Sequence, residues 1–199
     1  MLGFPKAIDG MRVGLLGGSF DPPHAGHVHI TRQALRRFGL DRVWWLVSPG
    51  NPLKVDGPAP IERRMAACLE IMQHPKVRVT DIEVQLGTRF TADTIEGLQG
   101  LYPKVNFVWL MGADNLASVH KWDRWEWIFE NVPIGVTSRP EAHLKAAGSK
   151  AAVKYRAARL PASNAKVLPF QKPPSWCLLD GPVVDISSTE IRESGDWAK

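Results

Sequence analysis

Short apolar runs alternate with helix-period stretches through the first two-thirds of this chain, and that alternation leaves few folds open. Residues 12–16, 42–47, 77–84, 106–111 and 133–137 read as buried strands. Between the first two, Val28, Thr31, Ala34, Leu35 and Phe38 recur at helical spacing, with Gly39 as a stop. Pro60 opens a second helix whose apolar face is Ile61, Met65, Cys68, Leu69 and Met72. Residues 91–98 predict a third, capped by Thr91 or Asp93, and 122–129 a short aromatic one. Such repetition predicts an α/β fold: a parallel sheet with helices on both faces. Ligands of these sheets bind beyond the carboxyl ends of the strands. Gly17, Ser48, Gly112 and Ser138 each follow a predicted strand, so they are expected to gather at one sheet edge.

The pattern thins after residue 139. Residues 149–160 read as a helix with a nearly all-alanine apolar face, and 176–179 as a late strand. Residues 186–192 read as a loop entering a helix, with Ser187 or Ser188 as N-cap. One domain over 1–199 is expected, with 139–175 a basic, Pro- and Ala-rich elaboration and 186–199 its closing segment.

The first strand runs directly into Gly17-Gly18-Ser19-Phe20-Asp21-Pro22-Pro23-His24-Ala25-Gly26-His27 and then a helix. A glycine turn lets backbone N–H groups approach a ligand, and a helix start adds unpaired donors and a positive dipole end. His24 and His27 are three apart and share a face if helical geometry has begun by His24. This combination suits a phosphate. It is not a P-loop, because no lysine occurs between Arg12 and Lys54. Gly14, Gly17 and Gly18 lack the G-x-G-x-x-G spacing of a dinucleotide fingerprint. A zinc reading of His24, His27 and His29 lacks a further thiolate or carboxylate, and Cys68 and Cys177 form no ligand motif.

The segment resembles the H-x-G-H signature of the nucleotidyltransferase superfamily, and its fuller form resembles the bacterial nicotinate-mononucleotide adenylyltransferases. Ile186-Ser187-Ser188-Thr189-Glu190-Ile191-Arg192 matches a second signature, I-S-S-T-x-I-R. Gly112-Ala113-Asp114-Asn115 and Trp122 extend the likeness over nearly the whole chain. The resemblance implies a Rossmann-like nucleotidyltransferase fold and transfer of AMP from ATP to nicotinate mononucleotide, releasing pyrophosphate. It further implies that His24, His27 and Arg192 act on the phosphates, with ATP also held by Gly17, Gly18, Ser19, Phe20, Lys54, Gly112, Asp114, Arg139, Ile186, Ser188 and Thr189. Asp114 is equally suited to capping the helix that follows it. Thr91, Trp122 and Asp123 would receive the mononucleotide, Trp122 by stacking, while Trp125 and Trp127 serve packing. Mg²⁺ would bridge the triphosphate through water and phosphate oxygens, with no dedicated protein metal cage. The chain departs from the family at Pro23, at Phe90, and at Leu53-Lys54, where His-Lys is common.

Composition narrows the remaining choices. The 199 residues carry a net charge of +5, consistent with anionic ligands. No RNA-binding motif accompanies that charge, and no apolar run approaches a membrane span, so neither nucleic acid nor membrane is expected as a partner. The first ten residues do not read as a secretory signal, and two distant cysteines fit a reducing cytoplasm. A homo-oligomer is left open. The rival readings are pantetheine-phosphate adenylyltransferase and a non-catalytic nucleotide sensor on the same fold.

Overall fold

A computed structural model describes residues 3–50, 57–138, 146–180, 188–195 and 197. Seven strands form one sheet: β1 (Arg12–Gly18), β2 (Arg42–Val47), β3 (Val77–Thr80), β4 (Asn106–Gly112), β5 (Ile134–Ser138), β6 (Arg159–Leu160) and β7 (Trp176–Asp180). Their spatial order is β3-β2-β1-β4-β5-β7-β6, and every neighbouring pair is parallel. The chain winds outward from β1 through β2 to β3, then returns to the other side of β1 with β4 and winds the opposite way. The order therefore reverses between β1 and β4, and the crevice beyond their carboxyl ends is where such a sheet receives a ligand.

Alternation within the strands makes two cores. Val13 and Leu15, Trp44 and Leu46, and Phe107, Trp109 and Met111 face one side. Leu16, Val43, Trp45, Val47, Val108 and Leu110 face the other. Helix α1 (Ala25–Arg37) and helix α2 (Ile61–Ile71) cover the second face through Ala34 and Cys68. Helices α3 (Ile82–Leu86), α4 (Thr91–Leu101), α5 (Ala113–Ser118), α6 (Trp125–Asn131) and α7 (Lys150–Lys154) cover the first. A last helix, α8 (Ser188–Glu193), closes the described chain. None of the described helices is long and apolar enough to cross a membrane.

Several expected elements change shape. The strand expected over 77–84 stops at Thr80, and Ile82–Leu86 is helix, ended by Gly87 in the left-handed region at φ 68°. β3 is an edge strand paired only with β2, so nothing beyond it rewards further extension. Neither Thr91 nor Asp93 caps α4; Phe90 takes that position without a side-chain bond. The helix expected over 122–129 begins only at Trp125, after a 3₁₀ turn Val119–Lys121, and leaves Trp122 extended. The helix expected over 149–160 is the five residues of α7, with Ser149 accepting from the Ala152 amide, followed by a 3₁₀ turn and β6. Its alanines bury too little to sustain a long helix.

Close packing of α1 on the sheet rests on a missing side chain at Gly135. A Cβ there would lie 2.6 Å from the Phe38 ring and 3.0 Å from Leu110. Gly135→Ala is expected to lower stability by about 1–3 kcal/mol through overpacking, measured as a shift in the urea midpoint with an unchanged slope.

Candidate functional site

A cavity of about 830 Å³ opens at the reversal point, floored by the ends of β1 and β4. Gly17, Gly18, Ser19, Phe20, His24, His27, Thr91, Gly112, Asp114, Trp122 and Asp123 all line it, as do Ser48 and Ser138. Eleven sequence-predicted site residues thus meet in one place, from four separate stretches of chain. Lys54, Arg139 and Ile186 lie outside the described residues.

The histidines are organised differently from a shared helical face. His24 precedes α1 in extended conformation, as its N-cap, and its Nδ1 accepts the Gly26 amide at 3.1 Å. His27 Nδ1 in turn accepts the His24 amide at 3.2 Å. The two rings lie 3.9 Å apart. This reciprocal cap consumes donors at the helix start, so the Gly26 amide is not offered to a ligand. It also fixes both tautomers: with each Nδ1 accepting, a neutral ring carries its proton on Nε2. His27 is half-buried by surface, with its open edge on the cavity rather than bulk water. That enclosure, then the charge of His24, push its pKa down to about 3. His27 is a neutral hydrogen-bond donor, not a cation.

The turn between β1 and α1 is held from beneath. Phe20 adopts the left-handed region at φ 47° and stacks on Trp45, 4.9 Å away and 14° from parallel. The Trp45 indole donates to Thr31 on α1 at 2.7 Å, fixing helix to sheet. Gly17 is needed for a neighbour rather than for an unusual backbone angle. A Cβ there would lie 2.5 Å from the Trp109 ring, whereas one at Gly18 would meet only ordinary contacts.

Arg64 is the main residue that pattern reading missed. It occupies the apolar stripe of α2, is 1% exposed, and donates to three carbonyls: Ala59 and Ser19 at 2.6 Å and Ser48 at 2.7 Å. Its signal was a charged residue among the spacings of Ile61, Met65 and Cys68. Leu69, expected on that stripe, is exposed instead. Two buried carboxylates were also missed: Asp21, which lies within the Gly17–His27 string but was given no role, and Glu83, which has no motif context.

The carboxyl-terminal segment docks on the turn, not in the cavity. Ser188 is the first residue of α8 rather than its N-cap, and its hydroxyl donates to the Pro22 carbonyl at 2.8 Å. Arg192 donates to the Asp21 carbonyl and, at 3.2 Å, to the Thr189 hydroxyl. The Trp197 indole donates to the Asp21 carboxylate at 2.7 Å, under the Arg63 guanidinium at 4.1 Å. Ser188, Thr189 and Arg192 are therefore brought beside the histidine turn but are not among the residues lining the cavity.

At the opposite end, Arg124, in the left-handed region at φ 49°, ties α4 to α6. It donates to Asp93 at 2.9 Å and Glu96 at 3.0 Å, and lies over Trp127 at 4.7 Å. This clamp flanks Trp122 and Asp123. Trp125 and Trp127 pack against the core, as expected. Asp114 lies in the first turn of α5, whose N-cap is Gly112, where the helix dipole favours a carboxylate. No three His, Cys, Asp or Glu side chains among the described residues are grouped to hold a metal ion, the His24–His27–His29 set included.

Residues 15–194 match a family model described as cytidylyltransferase-like. A probable nicotinate-nucleotide adenylyltransferase of Cereibacter sphaeroides is 60% identical over 187 residues, covering 94% of this chain and 99% of the relative. Another, from Ruegeria pomeroyi, is 57% identical over 196 residues, covering 98% and 92%. Among solved structures, the Plasmodium falciparum nicotinic acid mononucleotide adenylyltransferase complexed with NaAD superposes with a TM-score of 0.68 at 18% identity. That match covers 92% of this chain and 83% of the other. At that identity the likeness shows the fold: the Rossmann-like sheet of the nucleotidyltransferases.

The neutral state of His27 is directly measurable. Its ¹⁵N shifts are expected to report the Nε2–H tautomer down to about pH 4. Because its folded pKa is depressed, the unfolded state binds the extra proton below the ordinary value of 6.5. His27 should therefore cost stability as pH falls from there, at up to about 1.4 kcal/mol per pH unit, and His27→Asn should flatten that acid limb in urea titrations.

Proposed function

Because this chain belongs to the nicotinate-nucleotide adenylyltransferases, within the cytidylyltransferase-like family, we propose that it transfers AMP from ATP to nicotinate mononucleotide. The products are deamido-NAD and pyrophosphate, a step of NAD biosynthesis. The observation that carries this reading is the pair of capped imidazoles at the reversal point of the sheet, with Nε2 protons fixed where a polyanion would lie.

The chemistry asks little of a nucleophile. The acceptor phosphate has a second pKa near 6 and is largely dianionic at neutral pH. One of its oxygens bonds to the α-phosphorus of ATP as the bond to the β-phosphate oxygen breaks, and the electron pair leaves with pyrophosphate. What the protein contributes is alignment of two polyanions and stabilisation of charge at the α-phosphate. The neutral imidazole of His27 suits this role, because it donates a hydrogen bond without carrying a proton charge of its own and needs no reorganisation as charge develops. In this reading His24 and His27 hold the ATP phosphates, with Gly17, Gly18, Ser19 and Phe20 forming the wall beside them. Gly112 and Asp114 flank the ribose. Arg192 and Ser188 act by seating the Asp21–Pro22 turn, a placement supported by their hydrogen bonds to it, and the Thr189 hydroxyl accepts from Arg192 and helps orient its guanidinium. Thr91, Trp122 and Asp123 receive the mononucleotide.

Magnesium belongs to the same reading. An ion carried by phosphate oxygens and water needs only one or two protein carboxylates, and Asp114 supplies one on the cavity wall. When bound, it neutralises triphosphate charge.

Pyrophosphate release with ATP plus nicotinate mononucleotide, nicotinamide mononucleotide or phosphopantetheine tests the assignment. Turnover is expected with the pyridine mononucleotides, and activity confined to phosphopantetheine would sink it. His27→Ala should lower kcat by about 100- to 1,000-fold while KM for ATP moves less than about tenfold. EDTA should abolish turnover, and added Mg²⁺ should restore it.

A further inference from the structure

We propose that Arg89 and Lys121 select the acceptor by its charge, favouring the acid mononucleotide over the amide. The inference rests on the adenylyl-transfer reading above and names two specificity residues for it.

Both side chains line the cavity and both are exposed. Neither makes a hydrogen bond or an ion pair with any described residue. Other arginines of the fold are spent on it: Arg12 on Asp41, Arg64 on three carbonyls, Arg124 on Asp93 and Glu96, and Arg192 on the Asp21 carbonyl. A cation on a cavity wall with no structural partner is available to a ligand.

Their neighbours place them. Arg89 directly precedes Phe90, the N-cap of α4, and so stands two residues before Thr91. Lys121 ends the 3₁₀ turn that delivers Trp122. The two segments are clamped to each other by Arg124, which donates to Asp93 at 2.9 Å and Glu96 at 3.0 Å. The unspent cations therefore flank the residues that the reading above gives to the mononucleotide.

The charge of the wall makes them matter. Its other described ionisable groups are the carboxyls of Glu83, Asp114 and Asp123 and the imidazoles of His24, His27 and His29. Burial pushes the Glu83 carboxyl up to about 7, and enclosure holds His27 neutral. Without Arg89 and Lys121 the described wall would hold no permanent cation beside its carboxyls, although it must take two polyanions. Selection follows from Coulomb's law. The acid mononucleotide carries one more negative charge than the amide in a molecule of nearly the same shape. Because both cations are exposed, the attraction acts through water and is worth a small factor per charge. It weakens as salt shortens the screening length from about 30 Å at 0.01 M to about 8 Å at 0.15 M. It acts on capture of the acceptor and leaves the chemical step alone.

The test measures kcat/KM for nicotinate and nicotinamide mononucleotides at constant Mg²⁺, in sodium chloride from about 0.02 M to about 0.5 M. The wild-type acid-to-amide ratio should fall about three- to tenfold across that range. Arg89→Gln and Lys121→Gln should each lower the low-salt ratio about two- to fivefold, and the double variant should show a ratio nearly flat with salt. Lys121→Arg should keep the wild-type ratio. The loss should appear in KM for the acid mononucleotide, with kcat and KM for ATP within about threefold. A structural role alone would depress both acceptors and ATP together, with no dependence on salt. A wild-type ratio flat with salt, Gln variants that keep the wild-type ratio, or losses that fall on kcat or on KM for ATP would each overturn the proposal. Failure of wild type to use either mononucleotide would remove the adenylyl-transfer reading itself, and this proposal with it.

Discussion

The Arg64 guanidinium lies between the ends of β1 and β2 and bonds to a carbonyl from each, at Ser19 and Ser48, while its Nε holds Ala59 at the start of α2. Parallel strands leave their terminal carbonyls pointing into the crevice where the ligand binds. Burying them unpaired would cost about 1–3 kcal/mol each. A planar cation with several donors satisfies three at once, and its own charge is distributed over carbonyl dipoles rather than opposed by one carboxylate. The turn carrying Phe20 to His24 therefore starts from a fixed point. The conformation of Phe20, its stacking on Trp45 and the position of His24 at the head of α1 all follow from where that turn begins.

A helix start facing a phosphate normally acts through free amides and the dipole. Here the amides are partly consumed by the histidines, and the donors move outward to the Nε2 positions. The exchange gives longer reach and a defined direction. Enclosure that drives the proton off His27 removes a like charge from the neighbourhood of His24, so two rings 3.9 Å apart coexist without repulsion. Arg192 bonds to the Asp21 turn and Arg63 lies over Trp197, both outside the cavity lining, whose own cationic side chains among the described residues are Arg89 and Lys121. Residues 166 or more apart in sequence are joined there by hydrogen bonds, which makes the carboxyl-terminal segment part of the site's frame.

Alternation of apolar runs and helix-period stretches, with small residues after each strand, was enough to read a parallel α/β sheet and the edge where Gly17, Ser48, Gly112 and Ser138 meet. The Gly17–His27 string was enough to mark the turn whose glycines and histidines line the cavity. These are local properties: strand period, helix period, turn residues and the chemistry of side chains close in sequence. Only the tertiary structure decided that His24 caps rather than joins its helix, that Arg192 grips a backbone carbonyl, that Gly17 makes room for Trp109, and that Arg64 and Glu83 are buried. Each depends on which distant groups surround a residue, and burial, pairing and protonation are set by that surrounding. A charged residue at a given position reads alike in sequence whether it faces water or three carbonyls.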